Sequence, residues 1–116
     1  MVLGPERFTE RAQESLNNSQ LILSRYRHNQ WDCEHILMAL IEQEKGVPAE
    51  ILNELGVNIN VFHSRLHSML ENSDKTGGLS NQVYETPRLN ELFARADAEA
   101  KRLNDEFIGA EHLLVA

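Results

Sequence analysis

Glu34-His35-Ile36-Leu37-Met38-Ala39 and Glu111-His112-Leu113-Leu114-Val115-Ala116 are the two stretches that decide the fold, because the second repeats the first at an offset of 77 residues, from 34 to 111. The same offset, without a gap, pairs Thr9 with Thr86, Arg11 with Arg88, Glu14 with Glu91 and Arg25 with Arg102. It also sets apolar against apolar, Leu16 on Phe93 and Leu23 on Ala100. The identities between Thr9 and Ala39 coincide with matching helix caps and matching helix faces, so the chain reads as a tandem repeat.

Each repeat is helical. Ala12, Leu16, Ser19, Leu23 and Tyr26 recur at helical spacing and predict a helix over Thr9 to Arg27. Asp32 is an N-cap for a second helix carrying Ile36, Leu37, Leu40 and Ile41, which stops before Gly46. Pro48 at a first helical position and Gly56 as a C-terminal cap bound a short third helix over 48–55, with Ile51, Leu52 and Leu55 facing one way. A fourth runs from Ile59 to Glu71 with Phe62, Leu66, Met69 and Leu70 inward. Asn72 to Asn81 reads as a polar loop rich in breakers. Thr86-Pro87 then opens a long helix to about Leu103 through Leu89, Leu92, Phe93, Ala96 and Ala100, and a sixth helix starts near Gly109. No stretch alternates with period two, so strands are not required and the class is all-α. The organisation is a pseudo-twofold tandem repeat of a four-helix motif. Repeat one spans about 9–72, a linker about 73–84, and a partial repeat two about 86–116. A full second repeat would reach about residue 149, so the expectation is a fragment of a longer protein whose last helix leaves apolar surface uncovered.

Composition narrows the function. The 116 residues amount to one domain, and 41% hydrophobic with 25% charged residues is ordinary globular usage. Eleven Lys and Arg against eighteen Asp and Glu give a net charge of −7, the wrong sign for displacing phosphate counterions, so nucleic acid is not an expected partner. Neither a signal-peptide pattern nor a long apolar run appears, and the single cysteine, Cys33, makes no internal disulfide. A cytoplasmic protein without a membrane partner is expected. None of the six glycines is followed by Lys, so no phosphate-cradling P-loop is present and no ATPase activity is expected of this chain.

Phe8-Thr9-Glu10-Arg11-Ala12, Glu34-His35-Ile36-Leu37, the segment from Gly46-Val47-Pro48-Ala49 to Leu52-Asn53-Glu54-Leu55-Gly56-Val57, Tyr84 to Leu89, and Ile108-Gly109-Ala110-Glu111-His112-Leu113-Leu114 resemble the double-repeat Clp amino-terminal domain that precedes the ATPase rings of Clp-type unfoldases. Gly77-Gly78 and the stretch from Gln82-Val83-Tyr84 to Pro87-Arg88-Leu89-Asn90 look closer to the disaggregase branch, ClpB. Gly109-Ala110-Glu111-His112 is also similar to the protease-linked branch, ClpC. The resemblance implies a non-enzymatic module that captures unfolded or aggregated polypeptides, or adaptor proteins, and hands them to an ATP-driven ring. Hexamerisation and ATP would belong to the rest of that protein, with no cofactor in this domain.

Four residues are candidates for recognition: Thr9, Glu34, Thr86 and Glu111. Each glutamate lies in the first turn of its helix, where the dipole stabilises a carboxylate, and that capping role stands first. The resemblance to the ClpC branch implies a second role. There, glutamates at these positions and threonines at those of Thr9 and Thr86 bind phosphoarginine, a carboxylate taking the guanidinium while hydroxyls and helix N–H groups hold the phosphate. His35 and His112 invite a metal or acid–base reading, but no Cys or His cluster surrounds them, and packing or hydrogen bonding near the caps stands ahead of it. His63 and His67, four apart, are assigned to a solvated face. Cys33 at a helix start has some thiolate character to gain, while Trp31 and Ile108, repeat equivalents, are read as core.

Overall fold

Backbone pairing ahead of the helices ties the two halves together. The computed structural model describes residues 4–43, 46–72 and 84–116. The helices are α1 (Glu10–Arg25), α2 (Cys33–Glu42), α3 (Val47–Glu54), α4 (Ile59–Glu71), α5 (Pro87–Arg102) and α6 (Ala110–Val115), preceded by a 3₁₀ turn over Pro5–Arg7. Two strands of two residues each, β1 (Gln30–Trp31) and β2 (Tyr84–Glu85), pair in parallel with Trp31 opposite Glu85. An isolated parallel bridge joins Phe8 to Ile108. Shifted by 77, Phe8 becomes Glu85 and Ile108 becomes Trp31, so the two pairings are one contact seen from either half. The hydrogen bonds agree: Thr9 N–H donates to the Ile108 carbonyl at 2.9 Å and Thr86 N–H to the Trp31 carbonyl at 3.1 Å. Each repeat therefore begins by pairing with the middle of the other. Sequence periodicity required no strands, and two-residue strands are too short to carry a period-two signal.

The caps explain why the long helices start and stop where they do. Thr9 and Thr86 are extended, and their hydroxyl oxygens accept from Ala12 N–H at 3.2 Å and Leu89 N–H at 3.1 Å. At the other ends, Arg27 and Asn104 stand at repeat-equivalent positions in the left-handed region, with φ of 58° and 59°. That turn lets His28 N–H reach the Leu23 carbonyl at 2.9 Å and Asp105 N–H the Ala100 carbonyl at 2.8 Å. Gly56, at φ +84°, closes α3 as expected.

Two apolar clusters follow. The larger draws on both halves, with Leu16, Leu23, Trp31, Ile36 and Leu40 meeting Leu89, Phe93, Ala96, Ile108 and Leu113. Phe8 and Trp31 both meet Phe93 in T-shaped pairs, with ring centroids 6.1 and 5.9 Å apart. The smaller lies within the first half, where Leu66 and Leu70 of α4 cover Ile22, Tyr26, Met38 and Ile41. Leu66 and Leu70 are buried, but Met69 is 57% exposed, beside rather than on the α4 stripe that meets α2, and Leu55, at the end of α3, is 74% exposed. Met69 was expected inward, and Leu55 on one face with Ile51 and Leu52. Among the described residues the second half has counterparts of α1 and α2 only. Leu103 and Val115 are accordingly exposed where their equivalents, Tyr26 and Met38, are buried under α4. The linker expected at about 73–84 lies outside the described residues except for Tyr84. No helix among the described residues is long and apolar enough to cross a membrane.

Candidate functional site

The parallel ladder brings the N-termini of α2 and α5 side by side, and there the candidate residues meet. Asp32 caps α2, with its Oδ1 accepting from Cys33 N–H at 2.7 Å and from the Thr86 hydroxyl at 2.9 Å. Arg88, in the first turn of α5, donates to Glu34 Oε1 at 3.0 Å and lies 3.4 Å from Asp32 Oδ2. The bond to Glu34 holds the Arg88 guanidinium pKa above its ordinary value. Thr86 and Glu34 thus belong to one cluster that crosses between the repeats. Within it, Asp32 occupies the Thr86 hydroxyl and Arg88 occupies Glu34.

The other pair is arranged differently. Thr9 is joined through its N–H to Ile108, immediately ahead of α6, the helix that carries Glu111. Gly109 stands where Asp32 stands in the first half, so no carboxylate caps α6. Glu111 is half-exposed, 4.0 Å from its neighbour His112, and Arg11 faces Glu14 at 3.7 Å on its own helix. The four candidates therefore fall into two unlike pairs, Thr86 with Glu34 and Thr9 with Glu111.

Glu34 and Glu111 lie in the first turns of their helices as expected, and the histidines beside them add bonds to the caps. His35 Nδ1 accepts from Asp32 N–H at 3.0 Å and His112 Nδ1 from Gly109 N–H at 2.8 Å, so each ring closes the N-terminus of its own helix. Each Nε2 then carries the hydrogen and donates it, His35 to His28 Nδ1 at 2.8 Å and His112 to Asp105 Oδ2 at 2.9 Å. Burial first, then the neighbouring His28, lowers the His35 pKa to about 4. His63 and His67 lie on a solvated face as expected, and from it they also reach other helices, His63 Nε2 to Glu42 at 2.9 Å and His67 Nδ1 to the Tyr26 hydroxyl at 2.6 Å. Among the described residues no group of three His, Cys, Asp or Glu could hold a metal ion. The Cys33 thiol is pushed up to about 11, chiefly by burial and then by the Asp32 carboxylate, which removes the thiolate character expected at a helix start.

Asp32, Arg88 and His28 were missed as site residues. For two of them a signal was present in the repeat comparison, where Asp32 aligns with Gly109 and His28 with Asp105, each a change of charge just ahead of the shared Glu-His, whereas Arg88 aligns with an identical Arg11. The partners themselves lie more than fifty positions apart in the case of Asp32 and Arg88, beyond any local pattern.

Known proteins share this architecture. "Chaperone protein ClpB 2" of Nostoc sp. is 36% identical over 113 residues, covering 97% of this chain and 13% of that protein. The chain therefore spans about an eighth of the length of such a relative. Among solved structures, the Hsp104 N-terminal domain from Candida albicans superposes with a TM-score of 0.84 at 15% identity, covering 93% of this chain and 71% of that one. A structure described as "Peptide from EAEC T6SS Sci1 SciI protein" matches with a TM-score of 0.83 at 20% identity, covering 93% of this chain and 68% of that one. At these identities the structural matches establish the fold alone. The family described as "Clp repeat (R) N-terminal domain" matches residues 7–116, nearly the whole of the repeat pair and both helix-entry ladders. This chain belongs to the Clp repeat N-terminal domain family.

Proposed function

We propose that this chain is a substrate- or adaptor-recruiting N-terminal module of a ClpB-type chaperone, without enzymatic activity or cofactor of its own. It captures unfolded or aggregated polypeptide and presents it to ATPase rings elsewhere in the protein. The 36% identity to a ClpB chaperone across 97% of the chain is the observation that carries this reading. The surface supports it, since the side chains of Leu21, Leu55 and Met69 stand open to solvent on a domain that has a packed core to spare them. Capture by one copy is weak, and several copies presented together make it useful. Phosphoarginine or adaptor recognition through Thr9, Glu34, Thr86 and Glu111 is the alternative. It draws support from the pairing of Glu34 with a guanidinium, that of Arg88, in the structure itself.

The two readings separate in a binding experiment with a fluorescently labelled, permanently unfolded polypeptide, run on the wild type and on the double variant Glu34→Ala, Glu111→Ala. Polypeptide capture predicts saturable binding that the double variant retains within about twofold, because an exposed ion pair contributes little. Loss of binding in the folded double variant overturns it in favour of the charged site.

A further inference from the structure

Offset by 77, the two halves place one buried imidazole at the same point of the same cap, yet give it opposite partners. His112 donates to the Asp105 carboxylate, and His35 donates to a second imidazole, His28. The difference decides what each half does with a proton. In the first half both basic nitrogens already face a donor: His35 Nδ1 faces Asp32 N–H at 3.0 Å, and His28 Nδ1 faces the His35 Nε2–H at 2.8 Å. A proton added to either sets two N–H groups against each other, so only the neutral pair keeps both bonds. In the second half His112 Nδ1 likewise faces an N–H, that of Gly109 at 2.8 Å, but at Nε2 a carboxylate stands ready to balance an imidazolium, so the bond to Asp105 survives a proton that the bond to His28 does not.

We propose that the His28–His35 bond is an acid-release latch, which on taking up one proton frees the N-terminus of α2 from the end of α1, while the Asp105–His112 bond retains its grip in the second half. Several described residues bear on the latch. The Tyr26 ring of α1 stacks on His28 at 5.9 Å, and its hydroxyl is bonded to His67 of α4. Asp32 and Glu34 on α2 favour a charged His35, but both carboxylates are engaged by Arg88 of α5, and burial outweighs them in holding His35 near 4. Because α2 carries Asp32 and Glu34, release at its N-terminus also loosens the junction with Thr86 and Arg88. Acid thus opens one of the two candidate pairs and spares the other.

The test follows the histidine side chains of the labelled full chain by NMR from pH 7.5 to 4, together with the urea midpoint at each pH. Wild type is expected to keep His35 neutral well below pH 6.5, with the urea midpoint falling from about pH 6.5, where the unfolded chain takes up the proton, and levelling once native His35 takes it up near 4. His28→Asp copies the arrangement of the second half. It is expected to raise the His35 titration by about one to three pH units and to flatten the fall in midpoint over that range. Asp105→His is expected to add a second acid-sensitive step. If His28→Asp does not fold, His28→Asn keeps an acceptor without a second ring, and His35 should again titrate at higher pH than in the wild type. A wild-type His35 that titrates at pH 6.5 or above, or a titration unmoved in the folded position-28 variant, overturns the latch.

Discussion

Ser19→Ala tests how the two halves are locked at their shared centre. Ser19 is fully buried on α1, accepts the Trp31 indole N–H at 2.9 Å and donates its own hydrogen to the Leu16 carbonyl at 2.6 Å. Trp31 ends β1, packs on Phe93 of the other half, and is followed directly by the Asp32 cap. Removing the hydroxyl leaves the indole N–H in an apolar interior with no acceptor, which costs about 1–3 kcal/mol. A chain of 116 residues has an unfolding entropy of about 0.24 kcal/mol/K near its midpoint, so the melting temperature should fall by about 4–12 °C. Trp31→Phe removes the donor instead. In that background Ser19→Ala should cost within about 0.5 kcal/mol of nothing, because no orphan remains and alanine is the better helix former. Calorimetry and urea melts on the four proteins of the cycle measure both numbers. Equal cost of Ser19→Ala in the two backgrounds would refute the lock.

Leu89→Ala deletes a side chain with no exposed surface from the cluster shared by the halves, and a urea melt should show a loss of about 2–5 kcal/mol. Arg27→Gly relieves a non-glycine residue from the left-handed region and should gain about 0.5–1 kcal/mol by thermal melting. Asn104→Gly should gain less, since asparagine tolerates that conformation. Arg88→Ala, whose side chain is largely exposed, should cost under about 1 kcal/mol by the same assay despite its two carboxylate partners. A larger loss would mean that the crossing cluster holds the repeats together rather than merely decorating their junction.

Much of the fold could be read from spacing. Ala12, Leu16, Ser19, Leu23 and Tyr26 are all buried, as a helical face requires, and Thr9, Asp32 and Thr86 cap the helices they precede. The offset of 77 was equally plain, because identities, caps and faces shifted together. The crossing of the repeats was hidden. Phe8 pairs with Ile108 and Trp31 with Glu85 through backbone groups, which leave no trace in side-chain periodicity. The candidate site was half visible for the same reason. Thr9 and Thr86 announce themselves as caps, whereas Asp32 filling the Thr86 hydroxyl and Arg88 filling Glu34 depend on that long-range pairing. The histidines were legible locally: read as packed or hydrogen-bonded near the caps, His35 and His112 are buried there, each reaching back to the N–H of its own cap. His63 and His67 stand on the solvated face that their spacing indicated, but their bonds to Glu42 and Tyr26 were hidden, because a spacing of four fixes a shared face and not what that face meets.

Polypeptide capture is tested most directly by NMR titration of the labelled chain with a permanently unfolded, unmodified polypeptide and, separately, with free phosphoarginine. The proposed function predicts saturable shifts with the polypeptide at exposed apolar residues such as Leu21, Leu55 and Met69, undisturbed by phosphoarginine. Saturable shifts at Thr9, Glu34, Thr86 and Glu111 with phosphoarginine, and none with the unfolded polypeptide, would contradict it.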